Sequence, residues 1–247
     1  MSKMRTVIWL GLIGVMAASA LFYVYGRAYW VPWKQEMTGK RTVAQVVAQY
    51  GEKARAKLAP YYEKAQVAYP GKQVALLAVK AEKRLALWAQ DADQQWHLIR
   101  EFDVKAASGV LGPKLREGDR QVPEGIYRIT WLHPNSTYHL SMKLNYPNEF
   151  DWARAKEEGR QEPGSNIFIH GKAVSIGCLA MGDEAIEQLF VLASDIGIDN
   201  ISVVISPTDP RMQPLVVPDD APDWTDGLYQ QITQAFLAVS ESQMVLQ

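Results

Sequence analysis

One cysteine among 247 residues excludes an internal disulfide framework and any zinc or iron–sulfur centre assembled from several cysteines. The four histidines, His97, His133, His139 and His170, form no His-Glu-x-x-His, which disfavours a zinc peptidase. Ser-x-x-Lys and Lys-Thr-Gly are missing, which disfavours a penicillin-binding serine enzyme, and there is no Gly-x-Ser-x-Gly or P-loop. The sequence therefore implies no cofactor and no metal. An excess of one charge is lacking too: 26 basic and 27 acidic residues give a net −1. Residues 1–30 hold three of the bases and none of the acids, leaving −4 for the rest. Such a body has no phosphate-binding footprint, so nucleic acid is not an expected partner. What is abundant is apolar: 48% of the chain, with 8 Trp, 11 Tyr and 6 Phe. That suffices for a full core, in one domain or two.

Charge is missing from one stretch altogether. Val7 to Tyr25 carries none, and these nineteen residues make a helix of about 28 Å, close to a bilayer's hydrocarbon thickness. Tyr23, Tyr25, Tyr29, Trp30 and Trp33 gather at its far end, where amphipathic rings favour the membrane interface. Lys3 and Arg5 orient the near end to the cytoplasm, so the body is expected in the periplasm or an equivalent extracytoplasmic space. Ala18-Ser-Ala20 has the small-x-small shape of a signal-peptide cleavage site. Apolar and aromatic residues continue past it, which favours a retained anchor in the cytoplasmic membrane.

Beyond the anchor, the periodicity changes twice. Thr42 with Gln45 reads as a capping box. Val43, Val47, Tyr50, Ala54, Leu58, Tyr61 and Ala65 follow at helical spacing. Pro60 is expected to kink or split this helix, and Tyr69-Pro-Gly71 to end it. Period two then predicts strands over 74–79, 84–89 and 96–103. A turn-rich loop over 109–125 leads to a hairpin of 126–132 and 138–144. The polar segment 146–163 reads as a lid or flap. Ile167–Ile169 is a short strand. A helix over 183–196 has Asp183 as N-cap and Gly197 after its end, followed by a strand over 201–205 and a helix over 224–239. The class is a mixed, mostly β domain with flanking helices.

The lone thiol lies in His170-Gly-Lys-Ala-Val-Ser175-Ile-Gly-Cys178. An exported protein with one unpaired cysteine carries a liability that calls for a reason. His170 sits where a strand runs into Gly171, and a tight loop can return the chain to set Cys178 beside the imidazole. Such a pair supplies a nucleophile and an acid/base catalyst for acyl transfer. The Gly171 carbonyl is placed to hold the other ring nitrogen, and the N–H groups of Gly177 and Cys178 to receive an oxyanion. A free cysteine is commonly a small buried hydrophobe, and a strand-end histidine is commonly satisfied locally. Joined by two glycines and a serine in an exported chain, the two residues favour the catalytic reading. Thiol and imidazole are expected as hydrogen-bonding neighbours in an open groove.

Ile169-His170-Gly171 followed by Ser175-x-Gly177-Cys178 resembles the signature of the L,D-transpeptidase (YkuD-like) family, and within it the YafK-like murein-processing subgroup. The resemblance extends to Ser108-Gly-Val-Leu-Gly-Pro-Lys114, Arg116-Glu-Gly-Asp119, Pro123-Glu-Gly-Ile-Tyr127 and Leu144-Asn-Tyr-Pro-Asn148. Covering roughly residues 74–206, it implies a mixed β-sheet catalytic fold; together with the helices and the uncharged N-terminal run read above, the expected class is α+β, mainly β, with flanking helices and an N-terminal membrane helix. The expected division is 1–30 anchor or signal peptide, 31–72 linker and amphipathic helical segment, 73–206 catalytic domain, and 207–247 C-terminal helical extension. It further implies that Cys178 attacks a stem-tetrapeptide carbonyl of peptidoglycan with His170 as base, forming a thioester. An amine resolves the thioester into a crosslink or an attached lipoprotein; water resolves it into release, including release of a lipoprotein from the stems.

Three departures from the family pattern stand out. Ile176 replaces a second histidine, Ala180 replaces an arginine two residues after the cysteine, and the gap from His170 to Cys178 is short. Substrate contacts are sought at Ser175, at His139 on an expected strand face, and at Arg154 and Lys172. The two cations lie among acidic residues that also suit a solvated face. Two other classes compete: a membrane-anchored module that binds peptidoglycan without turning it over, and an envelope protein whose thiol couples to a partner.

Overall fold

The computed structural model describes residues 2–240, with side chains from Val7 onward; Met1 and residues 241–247, the end of the expected C-terminal extension, lie outside the described residues. Helix α1 (Ser2–Tyr25) contains the uncharged run, and every residue of Val7–Tyr25 is exposed. Its length and apolar composition fit a bilayer span, as they also fit a signal sequence. Gly26 separates it from α2 (Arg27–Thr38). A Cβ there would lie 2.6 Å from the Phe22 carbonyl, so the junction accepts only glycine without rearrangement. α2 docks at once on the folded body: Arg27 Nε donates to Thr137 O at 2.7 Å, Gln35 Nε2 donates to Asn135 O at 2.7 Å, and Val31 is buried.

The capping box forms as expected at the start of α3 (Val43–Lys64): Gln45 N–H donates to Thr42 Oγ1 at 3.2 Å and Thr42 N–H to Gln45 Oε1 at 2.8 Å. The helix runs unbroken through Pro60 and ends at Lys64, ahead of Tyr69-Pro-Gly71. Its buried side keeps Ala54 and Leu58 but takes Val46 and Tyr62 instead of Val47 and Tyr61. Tyr61 stays exposed beneath the Arg100 guanidinium, 4.6 Å from its ring centre, a polar face that satisfies both partners.

Eight strands follow: β1 (Val74–Val79), β2 (Arg84–Gln90), β3 (Trp96–Asp103), β4 (Gly125–His133), β5 (Ser141–Leu144), β6 (Phe168–His170), β7 (Leu179–Ala180) and β8 (Ile201–Ser206). They make one mixed sheet ordered β3-β2-β1-β8-β4-β5-β6-β7, with β1–β8 and β6–β7 parallel and the remaining pairs antiparallel. All six residues of β1 are buried, because both sheet faces are covered. Val74, Leu76 and Ala78 pack with Leu58 of α3 and with Phe190 of α5 (Asp183–Ile196). The alternate residues Ala75, Leu77 and Val79 pack with Ile232 and Phe236 of α6 (Thr225–Ser240).

Three local expectations change. The segment expected to be a lid contains the helix α4 (Glu149–Glu157), closed by a second capping box between Asn148 and Asp151. It is pinned: Tyr146 Oη donates to Pro163 O at 2.7 Å and Trp224 Nε1 to Glu158 Oε1 at 2.6 Å. The second hairpin strand begins only at Ser141, because the chain turns through His139 at φ +81°. At α5 the cap is Gly182, with Asp183 as the first helical residue; its carboxylate is committed to the Lys172 N–H at 3.0 Å.

Candidate active site

β6 delivers His170 and β7 follows Cys178 at the narrow end of the sheet. Their parallel register sets Ile169 opposite Leu179 and His170 opposite Ala180, which puts Cys178 level with Phe168. Cys178 sits in the bend immediately before β7, so the register brings its backbone beside β6 without fixing the direction of its thiol. Ordinary strand spacings put the Cα atoms of Cys178 and His170 about 8 Å apart.

His170 is buried, 2% exposed, with its ring against Tyr138 at a centroid distance of 4.5 Å. Nδ1 lies 2.6 Å from Gly171 O. A carbonyl only accepts, so Nδ1 holds the proton and Nε2 keeps a free lone pair. Among the described residues Nε2 has no hydrogen-bond partner, and it is not sealed from solvent. Burial pushes the imidazole pKa down, and the bond to Gly171 offsets part of that shift. The ring is neutral at neutral pH, the form a general base needs. Gly171 cannot carry a side chain here: a Cβ would sit 2.6 Å from Tyr138 O and 2.8 Å from Asp183 Oδ1.

Cys178 is partly exposed, and its Sγ faces Asn166 O at 3.8 Å. The expected thiol–imidazole hydrogen bond is not formed in this arrangement, because the sulfur turns toward the backbone of the 166–168 segment. Burial pushes the thiol pKa up, against smaller opposing effects from the Phe168 amide and the Lys114 ammonium. With the thiol raised and the imidazole lowered, no thiolate–imidazolium pair is stored at rest. Alkylation of Cys178 by iodoacetamide is accordingly expected to keep accelerating above about pH 9. A rate plateau reached below pH 7 would contradict this resting state.

The two amides expected at an oxyanion are occupied. Gly177 N–H donates to Ser108 Oγ at 2.6 Å, and Cys178 N–H donates to Ser175 Oγ at 3.0 Å. Ser175 also donates to Cys178 O at 2.5 Å, so this hydroxyl ties the loop to itself. Lys172 borders the site with its ammonium paired to Asp183. His139 and Arg154 do not join it. His139 turns to Glu187, 2.9 Å from Nε2, and packs edge-on to Tyr50, because the chain leaves strand geometry before Ser141. Arg154 on α4 pairs with Glu157 at 2.7 Å and stacks over Phe150. Ser108, Lys114 and Tyr138 were not expected as site groups; the first and last residues of the Ser108–Lys114 motif were the available signal. Among the described residues, no three His, Cys, Asp or Glu side chains gather as a metal site.

Residues 73–205 match the YkuD family profile, described as the L,D-transpeptidase catalytic domain. Two curated relatives, both named provisionally as the L,D-transpeptidase YafK and coming from Escherichia coli strains K12 and O157:H7, are 35% identical over 122 residues, which is 49% of this chain and 47% of theirs. The chain thus spans about half the length of the curated relatives it matches. Among solved structures, the helical cell shape determining protein Pgp2 of Campylobacter jejuni is 20% identical, covering 74% of this chain and 62% of that one at a TM-score of 0.46. Bd1075 of Bdellovibrio bacteriovorus is 21% identical, covering 68% and 57% at a TM-score of 0.40.

Proposed function

Because the chain belongs to the L,D-transpeptidase catalytic domain family, we propose that it is a peptidoglycan-processing cysteine acyltransferase, with Cys178 as nucleophile and His170 as base. The observation that carries this reading is the His170 imidazole, fixed by Gly171 O through Nδ1 and left with an unpartnered Nε2, on a strand whose parallel neighbour begins directly after Cys178. On this reading the sulfur leaves Asn166 O, its partner at 3.8 Å in the resting arrangement, and meets Nε2 when substrate binds. As Sγ bonds to the stem-peptide carbonyl carbon, its proton passes to Nε2. The carbon–nitrogen bond then breaks, and the imidazolium returns that proton to the departing amine. This leaves a thioester on Cys178. An incoming amine or water gives up a proton to Nε2, takes the acyl group and restores the thiol.

We read the division of the chain as an anchor over 1–30, a linker and helical segment over 31–72, the catalytic domain over 73–206 and an extension over 207–247. On this reading α1 stays in the cytoplasmic membrane and the catalytic domain lies outside it. Peptidoglycan stem peptides are the substrate, and a peptidoglycan-linked lipoprotein is the partner to test first.

The full chain in detergent, mixed with disaccharide tetrapeptide, is expected to gain one acyl group on Cys178 by intact mass. A Cys178→Ala variant is expected to gain none. Folded protein without an adduct, or with one elsewhere, overturns the assignment. With lipoprotein-bearing sacculi, newly attached lipoprotein identifies an amine acceptor, and freed lipoprotein identifies water.

A further inference from the structure

We propose that the 172–176 loop, between the two reacting residues, rests on the outer surface of the bilayer, with Val174 and Ile176 in its headgroup–acyl boundary. This builds on the reading of α1 as a retained membrane helix. The connection between that helix and the catalytic face has almost no slack. α1 ends at Tyr25, and Arg27 is already bonded to Thr137 O at 2.7 Å. Two residues reach about 7 Å at full stretch. Thr137 adjoins Tyr138, whose ring lies against His170.

The helix end and the loop also share one cavity of about 470 Å³. Tyr23, Val24 and Ala28 line it from the anchor side, and Tyr138, Val174 and Ile176 from the catalytic side. Both apolar loop residues are open to solvent, Val174 at 46% and Ile176 at 69%. Tyr23 and Tyr25, 61% and 74% exposed, mark the level at which aromatic rings favour the interface. Arg27 and the Asp183-paired Lys172 line the same cavity, and cations at this depth suit anionic headgroups. Apolar tips, aromatic collar and cations therefore share a level set by the chain's own span.

The test uses the full chain with Cys178→Ser and one introduced cysteine at a time, each carrying a nitrobenzoxadiazole dye. The positions are Ile176→Cys, Met16→Cys inside α1, and Asp93→Cys in the β2–β3 turn at the opposite edge of the sheet. Vesicles of phosphatidylethanolamine and phosphatidylglycerol carry doxyl quenchers near the headgroup or deep in the acyl chains. The dye at 176 is expected to be quenched by the shallow doxyl lipid at least threefold more than the dye at 93, and the dye at 16 by the deep one. Quenching at 16 with 176 behaving like 93 overturns the loop docking and leaves the anchor standing. No quenching at 16 overturns both. The same readout from Val174→Cys decides the matter if the Ile176 variant misfolds.

Discussion

Replacing His170 by alanine is expected to slow acylation of Cys178 by about 10²–10⁴-fold, equivalent to about 3–5 kcal/mol of barrier. The size follows from the resting protonation states. The thiol pKa is pushed up by burial and the imidazole is held neutral, so the sulfur has to shed its proton as it attacks. Without Nε2 nothing beside the thiol is built to receive that proton. Single-turnover kinetics with disaccharide tetrapeptide, read by intact mass, measure the loss directly. His139→Ala is expected to leave the acylation rate within a few-fold, since that ring is engaged with Glu187. A larger effect at 139 than at 170 would sink the assignment of the base.

A second large effect is expected far from the thiol. Lys80 and Glu124 form a buried ion pair at 2.8 Å, with side chains 5% and 0% exposed. The Lys80 ammonium also donates to the carbonyls of Val110, Gly112 and Val122. Glu124 accepts from the Gly112 N–H and from Tyr229 Oη of α6. Burial pushes the lysine pKa down, and its partner only partly offsets this. Glu124→Ala strands a charge in the interior and is expected to cost about 3–5 kcal/mol in urea unfolding of the full chain in detergent. The double variant Lys80→Met, Glu124→Leu removes both charges and is expected to cost far less. A loss below 1 kcal/mol for Glu124→Ala would mean the ammonium finds other compensation. The clamp also bears on the site, because the loop it grips starts at Ser108, whose hydroxyl holds the Gly177 amide.

How much of this was legible beforehand depended on what each segment buries. The strands expected over 74–79 and 201–205 form at Val74–Val79 and Ile201–Ser206, although β1 is buried on both faces rather than alternating, and the capping box at Thr42 was legible as a pair of side chains three apart. α4 was missed because nine mostly polar residues bury only Ala155, which leaves almost no apolar stripe. Asn148 and Asp151, three apart, were its available signal. The rotation of the α3 face, with Tyr62 in and Tyr61 out, depended on Arg100, a partner distant in sequence. At the site, the residue types and spacing of His170, Gly171 and Cys178 were readable, but the side-chain directions were not. His139 alternated correctly on paper and was diverted by a left-handed turn. Lys80 and Glu124 were invisible for a plainer reason: charged residues usually face water, and only the assembled tertiary structure reveals four converging acceptors.

The serine hydroxyls at Gly177 N–H and Cys178 N–H carry a consequence for selectivity along the reaction path. In the proposed role of these amides, an arriving carbonyl oxygen competes against Ser108 and Ser175, acceptors of much the same strength as itself. A neutral substrate gains little from that exchange. An oxygen that has acquired full negative charge forms bonds roughly twice as strong and displaces them profitably. In that proposed role the loop's help would be withheld from the bound substrate and reserved for the fleeting tetrahedral species, where differential affinity accelerates chemistry.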